Sequence, residues 1–499
     1  MEENRIMNVE ETGGKPVAWE SASFFLKLVL AFAAFYVFCL YKNPMGITYP
    51  LFTAGLLGVY LYLLKKERQP LKKLSVFYMA AIFLLGLSNC LTDNLMIVMF
   101  NKLGSFILYG ILFVHNSCQD RNWSFLKYAE SLLKFGMSLI ENLPAVFLEG
   151  KRLGTEKRTG QKKSAGNSKA VYVLLGILIA LLLLCLILPL LASADQTFEN
   201  LMDRFFNKIF LQITVPEQAV QIGLMFCWGV IFFGALLTAV RKKKIKEESK
   251  DLRHLEPVTA ITTLSVIGIV YLIFCLIQIS YLFTGGMTLP SDYTYSGFAR
   301  EGFFQLLFVS MLNLAIVLFC IELFRKSRAL RILLTFLCGC TYIMVISSVC
   351  RMYLYVDAYG LTRLRILVLA ALLVIALVLG GMIRYIYSEH FPLFTFSALA
   401  VTAVYLVLSF SHMDALIAEY NISQRGLDIT TKNQYLMTLS ADAAGVYERA
   451  AEKGVKKTWL AGEMLDTYFE QLEQYENQGI RSFNLSRYFG FRAAEKYSG

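Results

Sequence analysis

Long apolar runs separated by short polar connections organise this chain. Runs of about 17 to 25 residues, enough for a helix to cross the hydrocarbon of a bilayer, fall near Phe24 to Tyr41, Tyr49 to Leu64, Ser75 to Leu91 and Leu95 to His115. Two more lie near Ala170 to Ala192 and Gln218 to Val240. Others follow near Val258 to Thr284, Phe303 to Phe324, Ile332 to Cys350, Leu364 to Met382 and Phe391 to Phe410. The pattern predicts an all-α fold: a polytopic integral membrane bundle of about eleven transmembrane helices.

The connections set the expected orientation. Lys65, Lys66, Arg68, Lys72 and Lys73 crowd one loop, and Arg241 to Lys246 and Arg325 to Arg331 are also basic. Lys42 to Thr48 and Thr92 to Asn94 are nearly free of basic charge, Ser193 to Glu217 carries Asp195, Glu199 and Asp203 with only Arg204 and Lys208, and Gly285 to Gly302 is aromatic and poor in Lys. Basic loops stay in the cytoplasm, so the N-terminus is expected inside. An odd number of spans then puts everything after Ser411 outside. The polar start of the chain lacks a secretory leader, and the first helix is expected to remain in the mature protein.

Between the spans the periodicity changes. Asn122 to Leu148 has Lys127, Glu130, Lys134 and Glu141 on one face and Leu126, Ala129, Leu133, Leu139, Ile140 and Leu143 on the other. Such a helix lies on the inner membrane surface or packs on the base of the bundle. Gly150 to Lys169 is rich in Gly and Lys and reads as a linker. In the tail, Ser440 is positioned to cap a helix over Ala441 to Lys453. A second helix over Thr458 to Asn477 aligns Glu463, Asp466, Glu470 and Glu473, an acidic stripe that faces water or docks a cationic partner or the bundle's outer face. Arg487, Tyr488, Phe489, Phe491 and Arg492 form a basic-aromatic end suited to the membrane surface. The chain thus divides into a cytoplasmic segment (1–22), a four-helix group (23–116), a cytoplasmic amphipathic helix and linker (117–169), a seven-helix core (170–410) and an extracytoplasmic helical tail (411–499).

Composition agrees: 56% hydrophobic, 17% charged, mean hydropathy +0.53. A net charge of +11 would point to nucleic acid in a soluble chain. Here the cations sit in loops between apolar runs, where orientation accounts for them and no nucleic-acid partner is expected. Of the ten cysteines most lie inside apolar runs, so no disulfide framework is expected.

Catalytic signatures are absent from the sequence. There is no phosphate-binding glycine loop ending in Lys-Ser or Lys-Thr and no nucleophile elbow. His115, His254, His390 and His412 are scattered, so neither a metal nor another cofactor is expected. What remains is a polar layer at the outer ends of the spans: Asp195, Gln278, Arg300, Glu301, Arg351, Asp357, Tyr359 and Arg363. The last four belong to a polar hinge, Arg351 to Arg365, between two spans. Either these charges pair and staple helix ends, or the arginines hold an anionic headgroup, phosphate or saccharide through their planar forks. Lys102, deep in its span with no partner nearby in sequence, is a secondary candidate; Glu322 is expected to reach Arg325 or Lys326, and Asn313 to bridge helices.

Several stretches resemble a bacterial membrane family, the four-one-seven-three group of domains of unknown function. They are Leu190-Leu-Ala-Ser-Ala-Asp195 with Phe198, Gln278 with Tyr281-Leu-Phe283, Phe298-Ala-Arg300 with Gly302-Phe-Phe304, Asp357-Ala-Tyr-Gly-Leu-Thr-Arg-Leu-Arg365, and Asp414-Ala-Leu-Ile-Ala418 with Asn421. The resemblance spans roughly Gly176 to Ala450 and implies a multi-pass protein of a bacterial cytoplasmic membrane with no established activity. Where that family has an acidic residue and a second Arg beside Arg300, this chain has Ser296-Gly297 and Glu301.

Three readings follow. The first is a non-enzymatic envelope protein whose external helical tail binds, senses or scaffolds a protein partner. The second is a transporter or flippase for an anionic lipid or lipid-linked saccharide. The third is a lipid-linked glycosyl or phosphoryl transferase, ranked last because Lys42 to Thr48 lacks a carboxylate.

Overall fold

The computed structural model describes residues 22–43, 45–120, 123–156, 217–242, 252–284, 295–388, 390–425, 431–452, 459–476 and 479–498. Among them the chain is helical, with one isolated β-bridge between Leu255 and Phe324. Nine described helices are long and apolar enough to span a membrane; the span expected over Tyr49 to Leu64 is helical but is not among them, its apolar run being cut short by Pro50 and by the closing Lys65 and Lys66. The expected span Ala170 to Ala192, the loop after it and the linker beyond Glu156 lie outside the described residues.

Two compact units divide the chain. In the first, α1 (Ala22–Leu40) packs on α7 (Glu217–Lys242), and α6 (Ala145–Glu156) touches both. Gly229 makes this possible, since a Cβ there would stand 3.2 Å from the Ala33 Cβ. Small residues let membrane helices approach where hydrophobicity gives no net drive between them. Phe32 and Tyr36 set their rings edge-on to Phe233, and Arg241 donates to Glu149 at 3.1 Å.

The second unit holds α3 (Lys73–Leu91), α4 (Leu95–Ser117), α8 (Pro257–Thr284), α9 (Tyr295–Leu323), α10 (Arg328–Tyr359), α11 (Arg363–Tyr387) and α12 (Leu393–Phe410). It also holds the first half of α2 (Thr48–Lys66), which meets α3 where Gly86 leaves room: a Cβ would fall 2.4 Å from Thr53 Oγ1. The tail helices α13 (Met413–Arg425), α14 (Ala444–Glu452), α15 (Trp459–Glu473) and α16 (Leu485–Ser498) complete it.

Polar side chains bind the spanning helices together. Asn101 on α4 donates to Asn89 Oδ1 at 2.9 Å and accepts from Tyr405 and Ser409 of α12, each at 2.8 Å. Asn313 on α9 accepts from Tyr271 and donates to Thr341, the bridging role its mid-span place implied. Glu322 differs from expectation. It accepts from the Tyr385 hydroxyl at 2.9 Å and the Phe125 amide at 3.2 Å, because it is buried among α9, α11 and the start of α5 (Phe125–Glu141), with solvent-facing Arg325 turned to Glu256.

Three boundaries also differ. The two-faced helix expected over Asn122 to Leu148 breaks at Asn142–Pro144 into α5 and α6; Pro144 supplies no amide to the first. The span expected to end at Cys350 continues through Arg351 to Tyr359 and stops at Gly360, whose φ of 80° suits glycine. Ser440 makes no side-chain cap, and the chain passes through a 3-10 turn, Ala441–Ala443, before α14.

The tail helices share a core with the bundle end, where Ile97 and Leu408 join the buried tail residues. Leu465, Tyr468, Phe469 and Leu472 of α15 pack with Tyr447, Ile417 and Ala494, while Glu463, Asp466, Glu470 and Glu473 face outward. Burying Leu465 or Phe469 contributes about 1.5–3 kcal/mol each. The acidic stripe is therefore the solvated face of an amphipathic helix, within which Asp466 accepts from Tyr497 at 2.6 Å.

Candidate functional site

The end of the bundle where α3 closes and α4 opens carries three consecutive polar residues, Thr92, Asp93 and Asn94. Asn94 caps α4, accepting from the amides of Met96 and Ile97, which fixes the loop. Its side-chain amide then donates to Asp414 at 3.0 Å.

Asp414 opens α13 and is fully buried. Arg363 reaches it with both edges of the guanidinium, Nε to Oδ1 at 2.7 Å and Nη2 to Oδ2 at 2.6 Å. The Ser440 amide and hydroxyl donate to the same carboxylate at 2.9 and 2.6 Å. Isolated burial of a carboxylate costs several kcal/mol, and a bidentate arginine with neighbouring donors is what offsets that cost. Two turns along α13, Asn421 donates to the Leu361 carbonyl and accepts from the Leu361 amide. Asp414 and Asn421 thus hold the Gly360–Arg363 turn from one face of α13.

Two further pairs join the tail to the same loop. Arg487 of α16 donates to Asp93 at 2.6 Å, its guanidinium 4.7 Å from the Tyr475 ring centre. Burial pushes the Asp93 carboxyl above the usual range, against the pull of Arg487. Asp442 accepts from the Thr92 hydroxyl and the Asp93 amide, and His412 lies 3.7 Å away. The Asp442 carboxylate beside it holds the His412 imidazole above its ordinary pKa despite partial burial. Asn484 donates to the carbonyls of Met45, Asn89 and Thr92 at 3.0 to 3.2 Å.

The sequence-derived candidates separate. Gln278 and Arg351 come together on α8 and α10, with Gln278 Oε1 accepting from Ser347 at 2.7 Å and Arg351 at 3.4 Å. With Tyr271, Phe274, Gln305 and Met344 they line a cavity of about 310 Å³. Arg351 stands about 35 Å along α10, close to the far edge of a hydrocarbon layer about 30 Å thick. Arg363 is engaged by Asp414, Asp357 and Tyr359 are exposed at the end of α10, and Tyr359 packs edge-on to Tyr355. Lys102 sits 5.6 Å from the Tyr49 ring centre. Arg300 and Glu301 lie in the first turns of α9, their side chains outside the described residues, as is Asp195.

Asp93, Asp414, Asp442 and Asn484 were not singled out from sequence as site residues. Asp414 and Asn421 did stand in the stretches that carried the family resemblance.

At the other end of the same unit, Asp120 gathers Lys72 at 3.3 Å, His115 at 2.6 Å and the Tyr128 hydroxyl at 2.9 Å. Burial works against the Asp120 charge, but His115 and Lys72 bring its carboxyl below the usual range. Tyr128 stacks on Phe394 at 4.0 Å, tying α5 to α12.

No curated protein matches the chain, and no solved structure does. The family described as a domain of unknown function, DUF4153, matches residues 79–450, which takes in the Thr92–Asn94 loop, Arg363 and Asp414. The match is to this family, in place of the four-one-seven-three group that the sequence stretches resembled. The chain is a helical protein with several membrane-spanning helices and belongs to the DUF4153 family.

Proposed function

We propose that this protein is a non-enzymatic, multi-pass protein of a bacterial cytoplasmic membrane that uses its C-terminal helices as a fixed external platform for a protein partner. The observation that carries this reading is the Asp414 clamp. A tethered tail would need no buried carboxylate shared by Arg363, Asn94 and Ser440. Held this way, α15 presents Glu463, Asp466, Glu470 and Glu473 in one orientation, which lowers the ordering cost of binding a cationic surface. Lys72, Lys73, Arg325, Lys326, Arg328 and Arg331 gather in connections of one polarity, which supports the tail being extracytoplasmic and the N-terminus cytoplasmic.

The test is photo-crosslinking in cells from a probe at position 470 or 473 of the full-length protein. A discrete protein adduct, lost on E463K/E470K and kept on a charge change at Lys496, supports the platform. Labelling by lipid or nothing at all contradicts it.

A second reading is favoured by the cavity at Gln278 and Arg351. An arginine with two glutamines in a mostly apolar cavity at the edge of the hydrocarbon suits an anionic amphiphile, as a transporter or flippase requires. On that reading R351A abolishes movement of an anionic lipid in reconstituted vesicles while the protein stays folded in the membrane.

A further inference from the structure

A cavity of about 380 Å³ lies between the end of α3 and the tail, apart from the Arg351 cavity. Its walls are Leu91, Ala441, Leu485, Phe489 and Ala493, and its polar lining is His412, Asp442, Glu448, Ser486, Arg492 and Lys496. The two carboxylates are already engaged. Asp442 is buried under Thr92, the Asp93 amide and His412, and Glu448 accepts from Lys496 at 2.8 Å.

The donors have capacity left. Ser486 is 6% exposed, and among the described residues its hydroxyl has no hydrogen-bond partner. A hydroxyl shielded from water and left unbonded is destabilising unless a ligand satisfies it. An ammonium bound to one carboxylate still has N–H groups to donate, and the Arg492 guanidinium lies only loosely against Glu495, at 3.8 Å.

The level of the cavity names its occupant. Leu91 is the last residue of a spanning helix, so the cavity opens at the depth of lipid headgroups. Phe489, 61% exposed, lines it, and its neighbour Tyr488 is 40% exposed, an aromatic pair of the kind found at membrane interfaces. We infer that this cavity is a phospholipid headgroup site: Arg492, Lys496 and the Ser486 hydroxyl hold the phosphodiester, and the acyl chains run past Leu91 and Phe489. It builds on the packed tail and needs no protein partner on α15, so the platform and this site fail separately.

The experiment uses the full-length protein in nanodiscs carrying a photoactivatable phosphatidylglycerol, with crosslinks mapped by mass spectrometry. Crosslinks are expected on residues 485–496, reduced about tenfold in R492Q/K496Q and retained in R492K/K496R. S486A lowers labelling severalfold without lowering the unfolding midpoint, because no protein contact is lost. Millimolar inorganic phosphate leaves labelling unchanged. Absence of crosslinks from 485–496, labelling indifferent to both R492Q/K496Q and S486A, or displacement by phosphate alone would overturn the assignment, the last by making it a site for soluble phosphate.

Discussion

Arg363 and Asp414 meet edge to edge, Nε on Oδ1 at 2.7 Å and Nη2 on Oδ2 at 2.6 Å, so that the first residue of α11 is fastened to the first turn of α13. This pair joins a spanning helix to the tail through a carboxylate that has no exposure of its own. Removing the carboxylate leaves a cation three-quarters buried and several donors unsatisfied. D414A is expected to destabilise the second unit by about 3 kcal/mol, read as a lower thermal midpoint and earlier proteolysis of the tail. R363K, which keeps the charge and loses the fork, should fall between wild type and D414A.

Asn484 works through geometry alone, its one amide group facing three carbonyls from Met45, Asn89 and Thr92. N484A is expected to cost about 1–3 kcal/mol by stranding buried acceptors. N484D, which keeps the shape and brings acceptor atoms against acceptors, should cost more. Chemical unfolding of the detergent-solubilised protein measures both.

Tail docking should weaken as pH rises above 6.5. His412 is held above its ordinary pKa of 6.5 by Asp442. A histidine raised on folding contributes stability that is full below pH 6.5 and is lost as pH climbs through the folded value. After correction for intrinsic exchange, amides of residues 441–446 are expected to be more protected at pH 6 than at pH 8. H412A should remove the difference.

The approach of α2 to α3 rests on Gly86, where a Cβ would meet the Thr53 hydroxyl at 2.4 Å. G86A should destabilise by about 1–3 kcal/mol through overpacking. T53A should recover much of the loss, since it clears the colliding atoms, and a double-mutant cycle reads the coupling.

Nine of the spans were legible because an apolar run of fixed length is a local signal, carried by residues such as those from Leu95 to His115 without help from elsewhere; the weaker run from Tyr49 to Leu64 folds as a helix but falls short of them. The acidic stripe on α15 was legible for the same reason, with Leu465, Phe469 and Leu472 marking the opposite face. The tail's seam with the bundle was not. Asp93 finds Arg487 and Asn94 finds Asp414 across hundreds of residues, and a single Asp in a polar loop leaves no periodic trace. Arg363 was singled out as a candidate, but its partner lay beyond any helical spacing that would have named it. Ser440 was read as a cap from its neighbours, whereas its hydroxyl is drawn to a carboxylate 26 positions earlier. Glu322 shows the same override, burial outweighing the nearby cations of its loop.

The central claim is that the C-terminal helices and the bundle end fold as one body through the Thr92–Asn94 loop. Hydrogen exchange of the full-length protein in nanodiscs tests it directly, comparing wild type with R363A. The expected result is that residues 92–97, 414–421, 439–447 and 484–490 are protected together in wild type and lose protection together in R363A. Exchange of the tail segments that is independent of residues 92–97, or unmoved by R363A, would contradict it.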